Sequence, residues 1–452
     1  TDNSEEGSPP DVSPDHAWVL LGQCQEMLAR FNKLAPQKGS SLSLTYILER
    51  NEQILARICD LLTILSSTDP EKTSASSIAL FKRLIRAQSK DRRVSQLFLQ
   101  TYHLLSRSVL NNASRAGEHY ITRNRSEHFD MLKRGLGGGV IIATMALIKI
   151  YISGLPLTPG VMTFWFCVNY ATGFMLIHVL HFTIATKQPT MTAAYIAQTV
   201  GPGDKTFAER QDAANLLIQA ARSLNVAIFG NVAAALPVAL IIGLTADLAF
   251  NQPLFGSEKA DHLLNELNPF SHLALFYAAI TGLWLFLSGA LAGYFDNLCA
   301  YLSLAERIRL LPWLRKIAPE KTIQAYADYI GNHFGALMGN LFFGIMLGTT
   351  GYIGYLTGLP IDSLHVAFSV ANVGYSATVS NPGMVVILQY LIFALLIGVI
   401  NSAVSFLLAI STALRANGTS LGDLKLLLTA CYRQIRNEPS QMLLPPKESA
   451  DV

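Results

Sequence analysis

Hydrophobic residues in this chain fall into runs of about 20 residues. The first two occupy residues 136–155 and 161–182, on either side of the charge-free turn SGLPLTPG. An α-helix needs roughly 20 apolar residues to cross the hydrocarbon core of a bilayer. These two runs therefore predict a membrane-spanning helical hairpin. Four further runs of the same kind follow, at residues 226–248, 273–298, 335–355 and 385–408.

A seventh segment, residues 361–380, is long enough to cross but is less apolar. It carries Asp362, His365 and Asn372 among small residues. Irregular backbone at membrane depth is tolerated where protein or a water-filled cavity covers it. Two interpretations stay open: a seventh full span, or a re-entrant or surface-lying segment that could line a cavity. We therefore predict an all-α membrane protein with six or seven transmembrane helices.

The charges of the loops predict an orientation. Residues 200–222 and 300–333 are rich in Lys and Arg, whereas residues 250–272 are acidic. Cytoplasmic loops carry an excess of Lys and Arg, so the first, third and fifth spans should run from inside to outside. With six spans, both termini are expected to be cytoplasmic. Seven spans would export the basic tail, so the charge pattern favours six.

The rest of the chain predicts soluble regions around the membrane domain. Residues 1–14 are rich in Ser, Pro and acidic residues, as is typical of a disordered leader. Residues 15–112 have helical periodicity and many charges, which predicts a cytoplasmic helical bundle. Residues 113–134 are a basic juxtamembrane helix, residues 135–411 the transmembrane domain, and residues 412–452 a cytoplasmic helical or disordered tail.

The predicted bundle could dock a protein partner through residues 16–112, but we interpret its apolar stripes as its own core. The chain starts at Thr1 rather than Met, and we expect a further region upstream. The apolar positions that recur at helical spacing are Ile47, Ile54, Ile58, Leu61 and Leu65.

Composition supports a membrane protein and narrows the chemistry. Hydrophobic residues make up 51% of the chain and charged residues only 14%. The net charge of +3 is too small to indicate nucleic-acid binding. The five cysteines are scattered and predict free thiols, not disulfides or a zinc site. The motifs GxSxG, HExxH and Walker A do not occur in the sequence, and we expect neither a metal nor a cofactor.

Polar residues inside the predicted spans are candidates for function, because they are costly in lipid. His178 and His181 are three residues apart, which would place them on one helical face, suited to a proton relay or a substrate site. The alternative is that they form hydrogen bonds between helices. The candidate intramembrane polar site consists of His178, His181, Asn169, Asn231 and Asn340.

Other polar residues lie near the predicted cytoplasmic interface. Asp296 could pair there with Arg222 or Lys187. Lys149, near the outer end of the first span, is expected to snorkel to the interface. Asn332 and His333 are interpreted as capping residues at the start of the fifth span. The candidate cytoplasmic-interface site consists of Lys187, Gln188, Arg222, Asp296 and Asn297.

Several segments resemble bacterial proteins labelled Gcr-type site-specific recombinases, and HFTIATKQPTMTA (residues 181–193) is the most specific of the matches. The resemblance implies a bacterial inner-membrane protein. The segments that carry it are GEHYITR (117–123), NYATGFMLIHVLHFTIATKQPTMTA (169–193), FYAAITGLWLFLSGALAGYFDN (276–297), NHFGALMGN (332–340) and GLPIDSLHVAF (358–368).

The family label implies DNA strand exchange, which the residues do not support. A tyrosine recombinase needs a Tyr nucleophile among Arg, His and Lys groups, and a serine recombinase needs an activated Ser among arginines; neither set is recognisable in the sequence. The leading hypothesis is a non-enzymatic membrane protein that moves a small solute, ion or lipid, or scaffolds an envelope assembly. The alternatives are a membrane-tethered interaction module and site-specific recombination. The oligomeric state is left open.

Overall fold

The fold is entirely helical in the part of the chain that the structure, a computed structural model, describes. That part comprises residues 14–38, 42–66, 69–90, 121–184, 207–416, 421–442 and 444–445. Every regular element in it is a helix, which confirms the predicted all-α class. Two predicted site residues, Lys187 and Gln188, lie outside the described residues, as does the predicted leader up to residue 13.

The first of two compact units contains three described helices that pack in chain order, α1 on α2 and α2 on α3. Asn32 donates to Glu52 between α1 and α2, and Arg83 pairs with Asp60 between α2 and α3. The apolar positions predicted as the core remain 40–81% exposed on these helices, Leu65 most of all. The helices are α1 (Pro14–Lys38), α2 (Leu42–Ser66) and α3 (Pro70–Lys90).

The second unit contains the membrane-spanning helices. Within the described residues, six helices are long and apolar enough to cross a bilayer, namely α4, α5, α6, α8, α11 and α13. This confirms the six predicted spans and indicates a membrane protein. The helices of this unit are α4 (Arg125–Ser153), α5 (Pro159–Val179), α6 (Phe207–Phe250), α7 (Ser257–Asn265), α8 (Ala274–Tyr301), α9 (Leu304–Arg309), α10 (Pro312–Ile317), α11 (Glu320–Thr357), α12 (Val366–Ser380), α13 (Met384–Ala416) and α14 (Leu421–Asn437).

Capping determines where the first spanning helix begins. The Asn124 side chain accepts a hydrogen bond from the backbone N–H of Glu127 at 2.8 Å. The Glu127 carboxylate in turn accepts from the backbone N–H of Arg123 at 2.7 Å. This reciprocal arrangement satisfies two N–H groups that a helix start leaves unpaired. α4 therefore starts in the predicted juxtamembrane stretch, well before its apolar run.

Different non-spanning helices, α7 and α14, pack at the two ends of the group of spanning helices. Tyr390, near the start of α13, donates to Asn265 at the end of α7. At the opposite end, Ile121 before α4 belongs to the same buried cluster as Ile410 of α13 and Cys431 of α14. We call these the α7 end and the α14 end. The segments that flank the six spans thus lie together at the α14 end.

Small residues allow α5 and α11 to approach closely. A Cβ at Gly344 would collide with the backbone of Ala171, and one at Gly348 would collide with Cys167. Such small residues at contacts are what helix packing in lipid favours, because apolar surface alone does not drive association there. α5 and α11 therefore share a continuous interface along their length.

The seventh hydrophobic segment re-enters from the α7 end and does not cross. After α11, residues 358–365 run back along that helix: Ser363 donates to the carbonyl of Leu347, and the His365 ring lies 6.2 Å from that of Phe343. α12 then returns, with Gly374 beside Ala239 of α6.

Two observations show that α12 ends near where α11 ended. A Cβ at Gly243, further along α6, would meet Thr378 near the end of α12, so the two helices run in the same direction. At 15 residues α12 is only about 22 Å long, short of a full span. We call residues 358–380 the re-entrant segment. Their path agrees with the re-entrant alternative of the sequence prediction.

Candidate functional site

A charged cavity lies at the α7 end of the spanning helices. Its volume is about 330 Å³, and its walls come from α4, α5, α7, α11 and the re-entrant segment. A smaller space of about 50 Å³ shares Lys149, Tyr170, Asp362 and Asn372 with it and extends toward His365. The charged residues that line the cavity are Lys149, Lys259, Glu266 and Asp362.

Lys149 is the central cation of this cavity. Its side chain lines the cavity together with Tyr170, and it interacts electrostatically with Tyr170, Asp362 and Glu266. It also sits 5.8 Å from the centre of the Phe166 ring. Lys149 was predicted to snorkel to the membrane surface. The structure instead turns it toward the cavity, where polar groups from four other elements surround it.

The two carboxylates stand apart from Lys149. Among the described residues, neither Asp362 nor Glu266 has a carboxylate oxygen within 4.0 Å of the Lys149 nitrogen. Asp362 accepts the backbone N–H of Ser363 at 2.7 Å. Glu266 pairs with His262 at 3.3 Å, and its side chain is 37% exposed. Positive and negative groups thus face each other across the space.

Asn401 holds the base of the re-entrant segment in place. Its side-chain amide donates to the carbonyls of Leu364 at 2.9 Å and Ala278 at 2.8 Å, and its oxygen accepts the N–H of Val366 at 3.2 Å. Asn401 is fully buried. It thereby satisfies backbone groups that a helix start in the membrane interior would otherwise leave unpaired. His365, the N-cap of α12, accepts the N–H of Ala367.

Aromatic side chains close the inner end of the cavity. The rings of Phe174 and Phe343 lie 4.8 Å apart, and those of Tyr170 and Phe368 lie 5.1 Å apart. Phe174 and Phe343 are fully buried. We call these four residues the aromatic plug. It separates the charged cavity from the α14 end of the α5–α11 interface.

Histidines meet on the other side of the aromatic plug. His178 Nε2 lies 3.2 Å from His333 Nδ1, and the ring of His181 is 6.1 Å from that of His333. α5 ends at Val179, so His181 sits in the following turn, with a φ of 59°, and not on the helical face with His178. His333 lies inside α11 and does not cap it, contrary to the prediction, because the helix starts at Glu320.

The histidine cluster, which consists of His178, His181 and His333, is suited to binding and transferring a proton. Two imidazole nitrogens at hydrogen-bond distance can share one proton, and the donor depends on the tautomer. The Tyr329 ring stacks on His333 at 4.5 Å. Among the described residues, no group of three or more His, Cys, Asp or Glu side chains is arranged to hold a metal ion.

The comparison with protein families assigns the chain to one of them. A family model described as site-specific recombinase matches residues 2–445. The chain belongs to the site-specific recombinase family. No curated protein and no solved structure gives a significant match.

The name of the site-specific recombinase family suggests strand-exchange chemistry. Among the described residues, one tyrosine beside two histidines matches part of the set of groups that such chemistry needs. Tyr329 stands beside His333 and His178, and its hydroxyl is buried without a hydrogen-bond partner. Arg309, from the neighbouring helix α9, is ion-paired with Asp328. A tyrosine and histidines are therefore adjacent, but the phenol is not exposed to a phosphodiester.

The asparagines of the predicted intramembrane site are distributed over several helix contacts. The Asn169 amide donates to the carbonyl of Met145 at 2.9 Å. The Asn231 amide donates to the carbonyls of Gly135 at 2.6 Å and Thr183 at 3.0 Å. Asn340 is buried in α11. Only the two predicted histidines come together, so the five residues do not form one site.

Two of the predicted cytoplasmic-interface residues, Arg222 and Asp296, form hydrogen bonds with backbone groups. Arg222 is 94% buried and donates to the carbonyl of Thr122 at 2.7 Å. Asp296 accepts the backbone N–H of Gly335 at 2.8 Å, which ties α8 to α11. Asn297 is buried in α8. Arg222 and Asp296 therefore fasten two different parts of the fold.

Sequence reasoning missed Glu266, Lys259 and Tyr170 as site residues. Glu266 and Lys259 lay in a loop that was used only for its net charge. Tyr170 lay in an apolar run, where nothing in the sequence distinguishes it from other aromatic residues. One signal was present: Asp362 and Asn372 in a membrane-length segment had left open a re-entrant segment that could line a cavity.

Proposed function

We propose that this member of the site-specific recombinase family binds a small polar solute in the charged cavity and moves it across a bacterial inner membrane. The observation that carries the proposal is the re-entrant segment, which stops part-way through the helix group and presents Asp362 and Asn372 to the cavity. Discontinuous membrane segments at binding sites are a recurring feature of transporters.

The ionisable groups that line the cavity are unusual for a purely structural contact between helices. Lys149 belongs to a membrane-spanning helix and Asp362 to the re-entrant segment, and ionisable groups inside a membrane mark substrate and ion pathways. A volume of about 330 Å³ is at the lower end of the range for small-molecule sites. The cavity therefore suits a solute of a few heavy atoms and excludes a macromolecule.

The α5–α11 interface supplies a route to the other side. The charged cavity, the aromatic plug and the histidine cluster follow one another along it, marked by Thr163, Phe174 and His178 on α5. In this conformation the plug blocks passage, as alternating access requires of a closed state. The histidine cluster is suited to passing a proton between α5 and α11, because His178 and His333 lie at hydrogen-bond distance.

The orientation of the protein follows from its charges. Arg125, Lys133, Arg315 and Lys316 belong to segments at the α14 end, and acidic residues dominate at α7. From the positive-inside rule we infer that the α14 end faces the cytoplasm. The charged cavity would open to the periplasmic side.

Uptake by proteoliposomes tests the proposed function. The full chain is reconstituted and exposed to radiolabelled β-alanine, choline, succinate or glucose, which represent a zwitterion, a cation, an anion and a neutral solute. We expect at least one of them to accumulate above protein-free liposomes, and Lys149→Met to reduce that uptake at least tenfold while Lys316→Met, an exposed lysine of α10, does not. Absence of uptake for all four probes by folded protein would contradict transport.

Strand exchange is the second candidate, and Tyr329 is the observation that favours it. For it to serve as a nucleophile, α11 would have to expose its phenol, which is now buried against His333. Tyr329→Phe removes only the hydroxyl and leaves the ring stacked. Recombination of a plasmid substrate by the full chain that is lost in Tyr329→Phe would support this candidate, and recombination at background level in both proteins would exclude it.

A further inference from the structure

We propose that the charged cavity selects a zwitterion, a small solute with one ammonium and one carboxylate group. This inference rests on the proposed solute site but adds the chemical class of its ligand. It follows from the number, placement and surroundings of the charges that line the cavity.

The first step is the charge balance. The lining contains two cations, Lys149 and Lys259, and two carboxylates, Glu266 and Asp362, so its formal charges sum to zero. A purely anionic ligand would face two carboxylates, and a purely cationic ligand would face two lysines. Burying a single unpaired charge is costly. A neutral ligand with both charges avoids that cost.

The second step is the separation of the charges. In the described ion pairs, Lys149 is not within 4.0 Å of Asp362 or Glu266, although both act on it electrostatically. A direct ion pair between Lys149 and a carboxylate would leave neither charge available to bind a ligand. The open space between the amine and the carboxylates instead offers each end of a zwitterion its own partner: a carboxylate beside Lys149 and Tyr170, an ammonium beside Asp362.

The third step is the aromatic wall. Phe166, Tyr352 and Tyr355 line the same cavity. Aromatic faces attract cations that have lost water, and Phe166 already lies near the Lys149 ammonium. A ligand ammonium on the Asp362 side would have Tyr352 within the same lining. The hydroxyl of Tyr170 and the amide of Asn372 add neutral hydrogen-bond partners.

Binding of three probes of matched shape tests the ligand class. β-Alanine has both charges, propionate has only the carboxylate, and n-propylamine has only the ammonium. We expect the purified full chain in detergent to bind β-alanine about 10- to 100-fold more tightly than either of the others, the effect of one hydrogen bond to a charged group. Isothermal titration calorimetry gives the three affinities directly.

Variants then assign each end of the ligand. In Lys149→Met, β-alanine should lose its advantage over n-propylamine; in Asp362→Asn, it should lose its advantage over propionate. Asp261→Asn on the exposed face of α7 and Lys316→Met on α10 are the matched controls and should leave all three affinities unchanged. A protein that binds propionate or n-propylamine as tightly as β-alanine, or binds none of the probes, overturns the zwitterion assignment.

The two proposals fail in different ways. β-Alanine that binds but does not accumulate in proteoliposomes would refute transport and leave the ligand class standing. Uptake of choline or succinate together with no binding of β-alanine would refute the ligand class and leave transport standing.

Discussion

At the scale of single residues, Asn401 has the largest structural role near the charged cavity. One side chain satisfies two carbonyls and one N–H that belong to three separate backbone positions. Its location could not be predicted from sequence, because asparagines in apolar runs look alike until their neighbours are known. Asn401 was not among the predicted site residues, whereas Asn231, which has a similar role between α4 and α6, was.

Asn401→Ala should lower the free energy of unfolding by about 3 kcal/mol, because it leaves several buried backbone groups without partners. Denaturation of the purified protein, followed by tryptophan fluorescence, measures the change. Asn225→Ala is the matched control: that side chain is only half-buried and makes a single bond, to Met442, so its loss should cost about 1 kcal/mol or less. Equal effects would contradict the role assigned to Asn401.

Other residue-level differences have a common physical origin. The sequence shows that Lys149, Glu266 and Asp362 are polar, but they are more than 90 positions apart in pairs, and only helix packing brings them to one cavity. Snorkelling was a reasonable interpretation of Lys149, because a lysine near a helix end usually reaches water. Here the Lys149 side chain lines a cavity among the helices.

At the scale of elements, hydropathy predicted the six spanning helices because a bilayer sets their length. It could not predict the path of residues 358–380, since a reversal of direction leaves no periodic signal. Only the loop charges, which disfavoured a seventh crossing, favoured six spans over seven. The extra turns of α6 and α11 were missed because their first parts are amphipathic and resembled loops.

The contact between α5 and α11 makes a prediction about Gly344. Its substitution by Ala should destabilise the protein by about 1–3 kcal/mol, because the new methyl group collides with the Ala171 backbone and the helices must separate. Gly256 has open space around it and a φ of −68°, so Gly256→Ala should change stability little. Thermal unfolding of both variants distinguishes the two positions, and a Gly344→Ala protein as stable as the parent would argue against close packing here.

The docking of α14 can be followed through Cys431. This thiol is 5% exposed, and burial raises the pKa of Cys431 to about 11. A raised pKa means that at pH 8 only about one thiol in 1,000 is ionised, so maleimide labelling should be slow and should quicken with each pH unit up to about pH 11. The neutral thiol favours the docked state, so docking should weaken as the pH rises from about 9 to 11.

The labelling of Cys431 needs a variant that holds only this thiol, with the other four cysteines replaced by serine or alanine. Denaturant should restore the rate of an ordinary exposed thiol. Fast labelling of the native protein at pH 8 would show that α14 does not stay packed against α6 as the structure has it.

At the scale of the whole molecule, the spans, the loop charges and the re-entrant segment describe one topology. Six crossings place the flanking segments at the α14 end, and the charged cavity opens at the opposite end. The two-sided character of the protein, basic at one end and acidic at the other, was predictable from sequence. The internal order of charged cavity, aromatic plug and histidine cluster was not, because it depends on which faces of α5 and α11 meet.

The accessibility of residue 372 tests the account most directly. A single cysteine is introduced by Asn372→Cys in a cysteine-free background, and a membrane-impermeant thiol reagent is added to either side of oriented membranes. We predict labelling from the α7 side only, with no labelling of a matched Ile410→Cys protein, whose position is fully buried at the α14 end. Labelling of residue 372 from the α14 side, or from neither side, would contradict a water-accessible cavity lined by a re-entrant segment.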